Sequence, residues 1–213
     1  MRRRSKARHE LGFWLERRRL EGGALEHGHY EHFFTAWFGL GRDFYAGKRV
    51  LDVGCGPRGS LEWASMAARR AGLDPLAGAY RRHLNCRDHV MEYLEAPAER
   101  IPEPDGAFDV VTSFNSLDHV DDVGRASAEL LRMLAPRATL LLAVDVNHAP
   151  TSMEPHSLGW DVLDRFVPPL GVALWRGLER HEGGLFASML AGVDYDAARP
   201  GRPGVLAVHL VRE

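Results

Sequence analysis

The feature that most constrains the fold of this chain is an apolar segment that runs directly into a glycine-rich turn. Together they read Val50-Leu51-Asp52-Val53-Gly54-Cys55-Gly56-Pro57-Arg58-Gly59. Gly54 and Gly56 allow backbone conformations, and a close approach of a ligand, that a side chain would prevent. A strand, a glycine turn and a helical stretch in this order predict an α/β protein that binds a ligand at the end of a strand.

The remainder of the chain has the pattern of a parallel sheet covered by helices. From Lys48 onward, short apolar runs alternate with helical stretches. Asp121 or Asp122 is expected to cap the third helix, and Pro136 follows its end. The region 147–204 is interrupted by prolines and is the least readable. We predict strands near 49–53, 70–74, 89–93, 107–114, 138–145 and 205–211, and helices near 59–70, 76–83 and 123–134.

Length and composition suit one domain. With 213 residues, 45% of them hydrophobic, the chain is long enough for one substantial core and short for two. We predict a single domain over 1–213, with an N-terminal helical lid at 1–45, a ligand-binding core at 48–146, and a substrate loop and final strands at 147–213. The lid prediction comes from the spacing of Leu11, Trp14, Leu15 and Leu20, and from an aromatic segment, Tyr30 to Tyr45, that suits an amphipathic helix and its exit.

Composition also argues against several classes of partner. Lys and Arg number 27 against 29 Asp and Glu, so overall charge gives no support for nucleic-acid binding. The basic stretches Arg2–Arg4 and Arg17–Arg19 lack interleaved aromatic residues and are predicted to be a solvated helix face. No apolar run has the length of a signal peptide core after the basic start or of a membrane span. Cys55 and Cys86 cannot form a disulfide framework, so we expect a cytoplasmic protein. From the charge balance and the short apolar runs we expect neither nucleic-acid nor membrane partners.

Two acidic residues bear on the identity of the ligand. The spacing of Gly54, Gly56 and Gly59 also matches the dinucleotide fingerprint, so glycines alone do not decide. Asp52 is expected to place a carboxylate at the cleft, where it would repel a pyrophosphate but not a zwitterionic amino acid. Asp74, which ends the second predicted strand, can accept hydrogen bonds from both hydroxyls of a ribose, as in many adenosine-binding proteins that include NAD enzymes.

The segment from Asp52 to Gly56 resembles motif I of the class I S-adenosylmethionine-dependent methyltransferases. The segments 98–102 and 108–120 resemble, in order and spacing, the motifs that follow the third strand and form the fourth strand in that family. The resemblance covers roughly residues 48–146. It implies a Rossmann-like three-layer α/β sandwich with a mostly parallel seven-stranded sheet and an antiparallel last strand. It also implies S-adenosylmethionine as the cofactor.

The resemblance assigns cofactor contacts residue by residue. The turn is expected to face the methionine part, the pair Ala98 and Glu99 to flank the adenine, and Phe114 and Asn115 to face the reacting sulfonium. One departure is that Arg137 and Ala138 replace the usual glycine pair after the proline. The full set of expected cofactor contacts is Asp52, Gly54, Cys55, Gly56, Asp74, Pro75, Ala98, Glu99, Phe114 and Asn115.

Acceptor binding and proton transfer are expected near the ends of the fourth and fifth strands. His119 is the candidate general base, with a structural role as the competing interpretation. The segment 145–156 leaves the fifth strand at its carboxyl end and is the expected acceptor loop. The expected substrate contacts are Tyr30, Phe34, His148 and Glu154.

Metal binding and capping are the other roles open to the polar residues of this region. Asp145, His148, Glu154 and His156 have ligand chemistry for a divalent cation, but their irregular spacing leads us to predict no metal. Asp118, Asp121 and Asp122 are interpreted as capping and solvated residues.

Methyl transfer to an oxygen or nitrogen atom of a small-molecule acceptor is the function that these patterns favour. One alternative is a non-catalytic, methyltransferase-like subunit that binds an adenosine ligand. Another is an NAD-dependent oxidoreductase, for which no catalytic constellation is recognisable. The sequence indicates neither the acceptor nor the oligomeric state.

Overall fold

The chain forms one seven-stranded sheet in the computed structural model, which describes residues 2–84 and 86–213, with side chains from Lys6 onward. The sheet has the order β3-β2-β1-β4-β5-β7-β6. β7 is antiparallel to both of its neighbours, and the remaining neighbours are parallel. The predicted mostly parallel sheet with an antiparallel last strand is therefore confirmed. The strands are β1 Arg49–Val53, β2 Arg69–Leu73, β3 Glu92–Leu94, β4 Phe108–Phe114, β5 Leu134–Val146, β6 Gly171–Glu179 and β7 Gly204–Val211.

The inner strand β5 is buried on both faces of the sheet. Leu140 and Leu142 belong to one hydrophobic core, while Leu141 and Ala143 belong to another on the opposite face. Successive side chains of a strand point to opposite faces, and a parallel strand covered on both sides requires a continuous apolar run. The sheet is therefore the middle layer between two packed layers.

Five helices surround the sheet in the described part of the chain: α1 Arg2–Leu20, α2 Tyr30–Phe34, α3 Ala77–His83, α4 Val123–Met133 and α5 Leu185–Ala191. Single 3-10 turns lie at Ala36–Phe38, Arg42–Tyr45, Cys86–Asp88 and Trp160–Arg165. The predicted helices at 76–83 and 123–134 correspond to α3 and α4. The Asp122 carboxylate accepts a hydrogen bond from the Arg125 amide at 3.0 Å, so Asp122 is the cap of α4.

The helix predicted over 59–70 is wrong, because residues 54–68 form a series of turns. The Arg70 guanidinium donates to the carbonyls of Leu61 and Glu62, at 3.4 and 3.0 Å. The Glu62 carboxylate accepts from the amides of Val90 and Met91, at 3.1 and 2.7 Å. The Arg70 contacts take two carbonyls that a helix would use itself, and the Glu62 contacts tie the segment to the start of β3, so tertiary interactions override the helical propensity of the segment.

The aromatic segment from Tyr30 to Tyr45 is not the continuous helix predicted for it. It comprises α2 and two separate 3-10 turns, and Gly39, in the left-handed conformation with φ 70°, ends the first turn. Phe33, Phe34 and Phe38 are buried, and they pack in the same core as Leu61. Segment 30–45 thus covers the face of the sheet on which residues 59–70 lie.

The N-terminal helix is confirmed as α1, although its contact face differs from the prediction. Leu11 and Trp14 pack against the core, whereas Leu15 is 41% exposed and Leu20 is 62% exposed. The side chains of Arg2–Arg4 lie outside the described residues. Arg17 and Arg19 are exposed, as predicted for a solvated face, whereas Arg18 is half-buried and donates to the carbonyls of Gly23 and His83, at 2.8 and 3.0 Å.

The remaining differences concern boundaries and the region 147–204. β3 lies at 92–94 and β5 begins at Leu134, earlier than predicted. The unreadable region contains β6 and α5. Within the described part of the chain, no helix combines the length and apolar character needed to cross a membrane.

Candidate functional site

A cavity of about 330 Å³ lies at the carboxyl ends of the parallel strands. Open α/β sheets bind their ligands at this edge. Residues after β1, β2 and β4 form its floor, and the first turns of α1 close over it. Its lining consists of Lys6, Ala7, Glu10, Val53, Gly54, Leu73, Asp74, Pro75, Leu76, Pro97, Ala98, Glu99, Asn115, Ser116, His119, Val120 and Asp121.

The turn at Gly54 packs too closely on the end of β4 for a side chain. Gly54 has φ 78°, and a Cβ atom there would lie 2.2 Å from the Cβ of Ser116. The Ser116 hydroxyl donates to the Val53 carbonyl at 2.9 Å, which joins β1 to β4 beside the cavity. Backbone of the turn is therefore presented directly to a ligand.

Asp74 places a buried carboxylate in the wall of the cavity. It is 5% exposed, and its two oxygens accept from the amides of Leu76 and Gly56, at 2.8 and 3.2 Å. Burial raises the pKa of this carboxyl to about 7. Because each carboxylate oxygen has a second lone pair, Asp74 retains acceptors for the hydroxyls of a ribose.

Asp52 does not occupy the place expected for it. Its side chain is buried beside the turn and is absent from the cavity lining. Its carboxylate accepts from the hydroxyl of Ser60 and, at 2.6 Å, from that of Thr112. Burial raises its pKa to about 6. Asp52 thus links the turn to β4, and the expected carboxylate at the cleft belongs to Asp74.

Three other expected cofactor contacts also lie outside the cavity lining. The side chains of Cys55 and Phe114 belong to the hydrophobic core, with the Phe114 ring 4.7 Å from that of Phe34. Gly56 faces α1, since a Cβ there would lie 3.2 Å from the Trp14 ring. Of the expected set, the cavity brings together Gly54, Asp74, Pro75, Ala98, Glu99 and Asn115.

Helix α1 covers the cavity and is attached to the glycine turn. Glu10 lines the cavity, and Trp14, one turn further along, packs on Gly56. Arg58, within the turn, lies 5.4 Å from the Trp14 ring and forms a 2.5 Å ion pair with Glu21. Lys6 and Glu10 were not predicted as site residues, although their four-residue spacing from Trp14 places all three on one face of the helix.

The opposite end of the cavity is formed by residues after β3 and β4. The Glu99 carboxylate accepts from the amides of Asp121 and Asp122, at 2.6 and 3.0 Å, and so fixes the approach to α4. Asn115 is in the left-handed conformation with φ 53° at the end of β4. This backbone reversal brings the residues after β4 into the wall of the cavity.

Four side chains form what we call the acid–histidine cluster: Asp118, His119, His148 and Glu154. Asp118 is fully buried, and Oδ2 of Asp118 lies 3.3 Å from Nε2 of His148. Nε2 of His119 lies 3.7 Å from Oε1 of Glu154. His119 also lines the cavity, so the cluster adjoins it. The interpretation of Asp118 as a solvated or capping residue is wrong, because tertiary packing encloses it.

Burial shifts the pKa values of two members of the acid–histidine cluster in opposite directions. It raises the pKa of Asp118 to about 7 and lowers that of His119 to about 4. Two residues expected with this group are engaged elsewhere. Asp145 forms a 2.8 Å ion pair with Arg180, and Nε2 of His156 lies 2.9 Å from the Val120 carbonyl oxygen.

Tyr30 and Phe34, expected to contact the acceptor, lie in the aromatic core. They are 8% and 1% exposed and are absent from the cavity lining. The rings of Phe33 and Phe34 lie 4.7 Å from those of Phe186 and Phe114, respectively. Large rings contribute more when packed together than when exposed, which accounts for the difference.

Comparison with protein families matches residues 51–142 to a family described as a methyltransferase domain. A ubiquinone biosynthesis O-methyltransferase of Pseudomonas fluorescens is 35% identical over 58% of this chain and 55% of its own length. A demethylmenaquinone methyltransferase of Thermus thermophilus is 35% identical over 46% of this chain and 47% of its own length. The chain thus spans about half the length of these relatives.

Solved structures with low sequence identity share the fold. An S-adenosylmethionine-dependent methyltransferase from Mesorhizobium loti has a TM-score of 0.57 at 18% identity, covering 79% of this chain and 92% of the other. The [4+2]-cyclase SpnF has a TM-score of 0.57 at 21% identity, covering 78% and 75%. Motif order and the matched domain agree: residues 51–142 match a methyltransferase domain, and the sheet has the fold of S-adenosylmethionine-dependent methyltransferases.

Proposed function

We propose that this protein transfers a methyl group from S-adenosylmethionine to an oxygen, or alternatively a nitrogen, of a small-molecule acceptor. The observation that carries the proposal is the cavity at the ends of β1, β2 and β4. It joins a glycine turn, the Asp74 carboxylate and the acid–histidine cluster under the cover of α1. Relatives named as O-methyltransferases favour oxygen as the atom methylated.

The residues in the cavity fit the cofactor part by part. Asp74 would hold the ribose hydroxyls, since its buried carboxylate has lone pairs to spare. Ala98 and Glu99 would flank the adenine, and the backbone at Gly54 would face the methionine part. The cavity volume lies within the range of small-molecule sites, roughly 300–1,000 Å³.

Positioning and exclusion of water are the main tasks of the protein in such a reaction. When bound, S-adenosylmethionine supplies a methyl carbon activated by a sulfonium, and its carbon–sulfur bond breaks to leave a neutral thioether. α1 would keep water from the cavity, and the residues after β4 would align the acceptor oxygen with that carbon. As the carbon–oxygen bond forms, the acceptor hydroxyl loses its proton, for which His119 remains the predicted base.

The charge of the cavity wall argues against the NAD alternative. Glu10, Asp74, Glu99 and Asp121 contribute four carboxyl groups to the lining, against one basic side chain, Lys6. Carboxylates repel a pyrophosphate, whereas the ammonium and sulfonium groups of S-adenosylmethionine are cationic. Asp52 does not contribute to this repulsion, because its side chain lies outside the cavity lining.

Titration calorimetry with S-adenosylmethionine, S-adenosylhomocysteine and NAD tests the cofactor assignment. We expect the two sulfur ligands to bind one per chain and NAD to give no heat of binding. Asp74→Asn should weaken binding by roughly tenfold, because it removes a charged hydrogen-bond acceptor. The matched control Asp164→Asn changes an exposed carboxylate remote from the cavity lining and should bind as the unaltered protein does. Binding of NAD alone would contradict the proposal.

Methyl transfer itself is tested with acceptors chosen from the relatives. Hydroxylated precursors of quinones are the first candidates, because both relatives are named for quinone biosynthesis or demethylated quinones. Mass spectrometry should detect a product heavier by one methylene unit and an equal amount of S-adenosylhomocysteine. Cofactor binding without transfer to any acceptor would favour the non-catalytic subunit. We retain a cytoplasmic location as part of this proposal.

A further inference from the structure

The acid–histidine cluster contains more buried polar atoms than its own contacts satisfy. Both oxygens of Asp118 and both ring nitrogens of His119 are buried without a hydrogen bond among the described residues. The same is true of Nε2 of His148. A buried polar group without a hydrogen bond costs free energy, so such a concentration of them indicates an unmet partner.

The distances within the cluster suit ligands that share one ion. One ligand atom each from Asp118, His119 and Glu154 lies within 4.8 Å of the others. His148 adds a second imidazole, 3.3 Å from Asp118. Ligands placed about 2.0–2.2 Å from one cation are roughly 3–4.4 Å apart. The two individual distances, 3.3 Å for Asp118 to His148 and 3.7 Å for His119 to Glu154, fall within this range, and the 4.8 Å bound on the other pairs lies slightly above it.

We infer that Asp118, His119, His148 and Glu154 bind a divalent transition-metal cation beside the cofactor cavity. Two imidazoles and two carboxylates form a mixed nitrogen and oxygen donor set, which suits Mn²⁺ or Zn²⁺ better than Ca²⁺. A cation would also pair with the charge of the buried Asp118 carboxylate, whose ion-pair partner within the described residues is His148.

This inference changes the ligand set considered from sequence alone. Asp145, near the end of β5, and His156, in the segment after it, have partners of their own, an arginine and a backbone carbonyl. Asp118 and His119 take their place because the end of β4 lies beside the end of β5 in the sheet. The two pairs of ligands are more than twenty residues apart in the chain, which explains the irregular spacing.

A cation here would have a direct role if the proposed function is correct. His119 lines the cavity with Asn115 and Ser116, so an ion bound to His119 would lie at the end where the acceptor is expected. A divalent cation lowers the pKa of a bound hydroxyl and holds it in place, so that the hydroxyl loses its proton to water. With the ion bound, His119 would act as a ligand and not as the base. The acceptors would then be molecules with a hydroxyl, or a pair of neighbouring hydroxyls, able to coordinate the ion. This step rests on the proposed function, whereas the binding of the ion does not.

The test measures binding of Mn²⁺ and Zn²⁺ to the protein after treatment with EDTA, without S-adenosylmethionine. Calorimetry, and for Mn²⁺ electron paramagnetic resonance of the free ion, should show one ion per chain. Each of Asp118→Asn, His148→Gln and Glu154→Gln should weaken binding by at least about tenfold. The matched controls Asp164→Asn and His83→Gln alter exposed residues outside the cluster and should bind normally.

Thermal unfolding separates loss of a ligand from loss of the fold. Without metal, Asp118→Asn should unfold at a higher temperature than the unaltered protein, because it removes a buried charge that has no hydrogen bond. Added Mn²⁺ or Zn²⁺ should raise the unfolding temperature of the unaltered protein but not that of the variant.

Two outcomes would overturn the inference: no binding of either ion, or binding that the three substitutions leave unchanged. Cofactor binding is measured separately with S-adenosylmethionine alone. Failure of the metal site and failure of the proposed function are therefore distinguishable.

Discussion

Three buried carboxyl groups near the cavity differ in what surrounds them. Asp52 has two hydroxyl donors, Asp74 has two amide donors, and Asp118 has no hydrogen bond in the described structure. Burial raises the pKa of all three. These surroundings indicate different roles. The hydrogen bonds of Asp52 are complete, whereas the Asp74 carboxylate can accept further hydrogen bonds from a ligand. The Asp118 carboxylate still requires a partner.

The pH dependence of folding provides a test of the environment of Asp52. Its pKa rises from 3.8 to about 6 on folding, so the folded state binds the proton more tightly. Stability contributed by this group is therefore present below pH 3.8 and is lost as the pH rises through about 6. Relative to the unaltered protein, Asp52→Asn should gain up to about 3 kcal/mol between pH 4 and pH 7. Urea unfolding at the two pH values measures the change.

Asp109 offers a control of opposite sign. Its hydrogen bonds with Arg49 lower the pKa of the Asp109 carboxyl, so its contribution is present above pH 3.8 and is lost on acidification. Asp109→Asn should therefore lose stability at pH 7 relative to pH 4. Equal pH dependence of the two variants would contradict the assignment of their environments.

At the scale of elements, α1 and the glycine turn act together over the cavity. The helix places Glu10 in the lining and Trp14 on Gly56, while Arg58 ties the turn to Glu21 just beyond the helix. This attachment uses one helical face, and Phe13, on another face, is 43% exposed.

The contribution of α1 is tested by removing its contact with the turn. Trp14→Ala should weaken binding of S-adenosylmethionine by roughly fivefold to thirtyfold, corresponding to about 1–2 kcal/mol of lost packing. Leu20→Ala removes an apolar side chain of α1 that is 62% exposed, and the affinity of this variant should be unchanged. Titration calorimetry measures the affinity of both variants for S-adenosylmethionine. Equal affinities for the two would show that α1 does not act as a lid.

The same elements show what the sequence could and could not predict. The strands that flank the glycine turn were predictable because their apolar runs end in recognisable turn residues. Helix 59–70 failed because its carbonyls are taken by Arg70, a contact that local propensity does not contain. Asp118 was misinterpreted because its neighbour His148 follows a different strand, and only the pairing of β4 with β5 brings the two together.

For the whole molecule, binding of the cofactor should appear as added stability. At a ligand concentration of about 100 times Kd, a ligand specific for the folded state adds about 2.7 kcal/mol. For a chain of 213 residues this corresponds to a rise in Tm of roughly 5–10 °C. Scanning calorimetry with S-adenosylmethionine should show the rise, and NAD at the same concentration should show none. An equal rise with NAD would reopen the oxidoreductase alternative.

The packing of segment 30–45 has a consequence for the order in which parts of the chain fold during synthesis. The Trp37 indole donates to the Met189 carbonyl at 2.9 Å, across a separation of 152 residues. Phe34 rests on Phe114, at the end of a strand made much later than itself. On the ribosome, this aromatic segment emerges early but reaches its place only after almost all of the sheet has been synthesised. Until then its rings are exposed, so the nascent chain carries a hydrophobic surface that chaperones would recognise. This surface is covered once α5 has been synthesised and has packed on it.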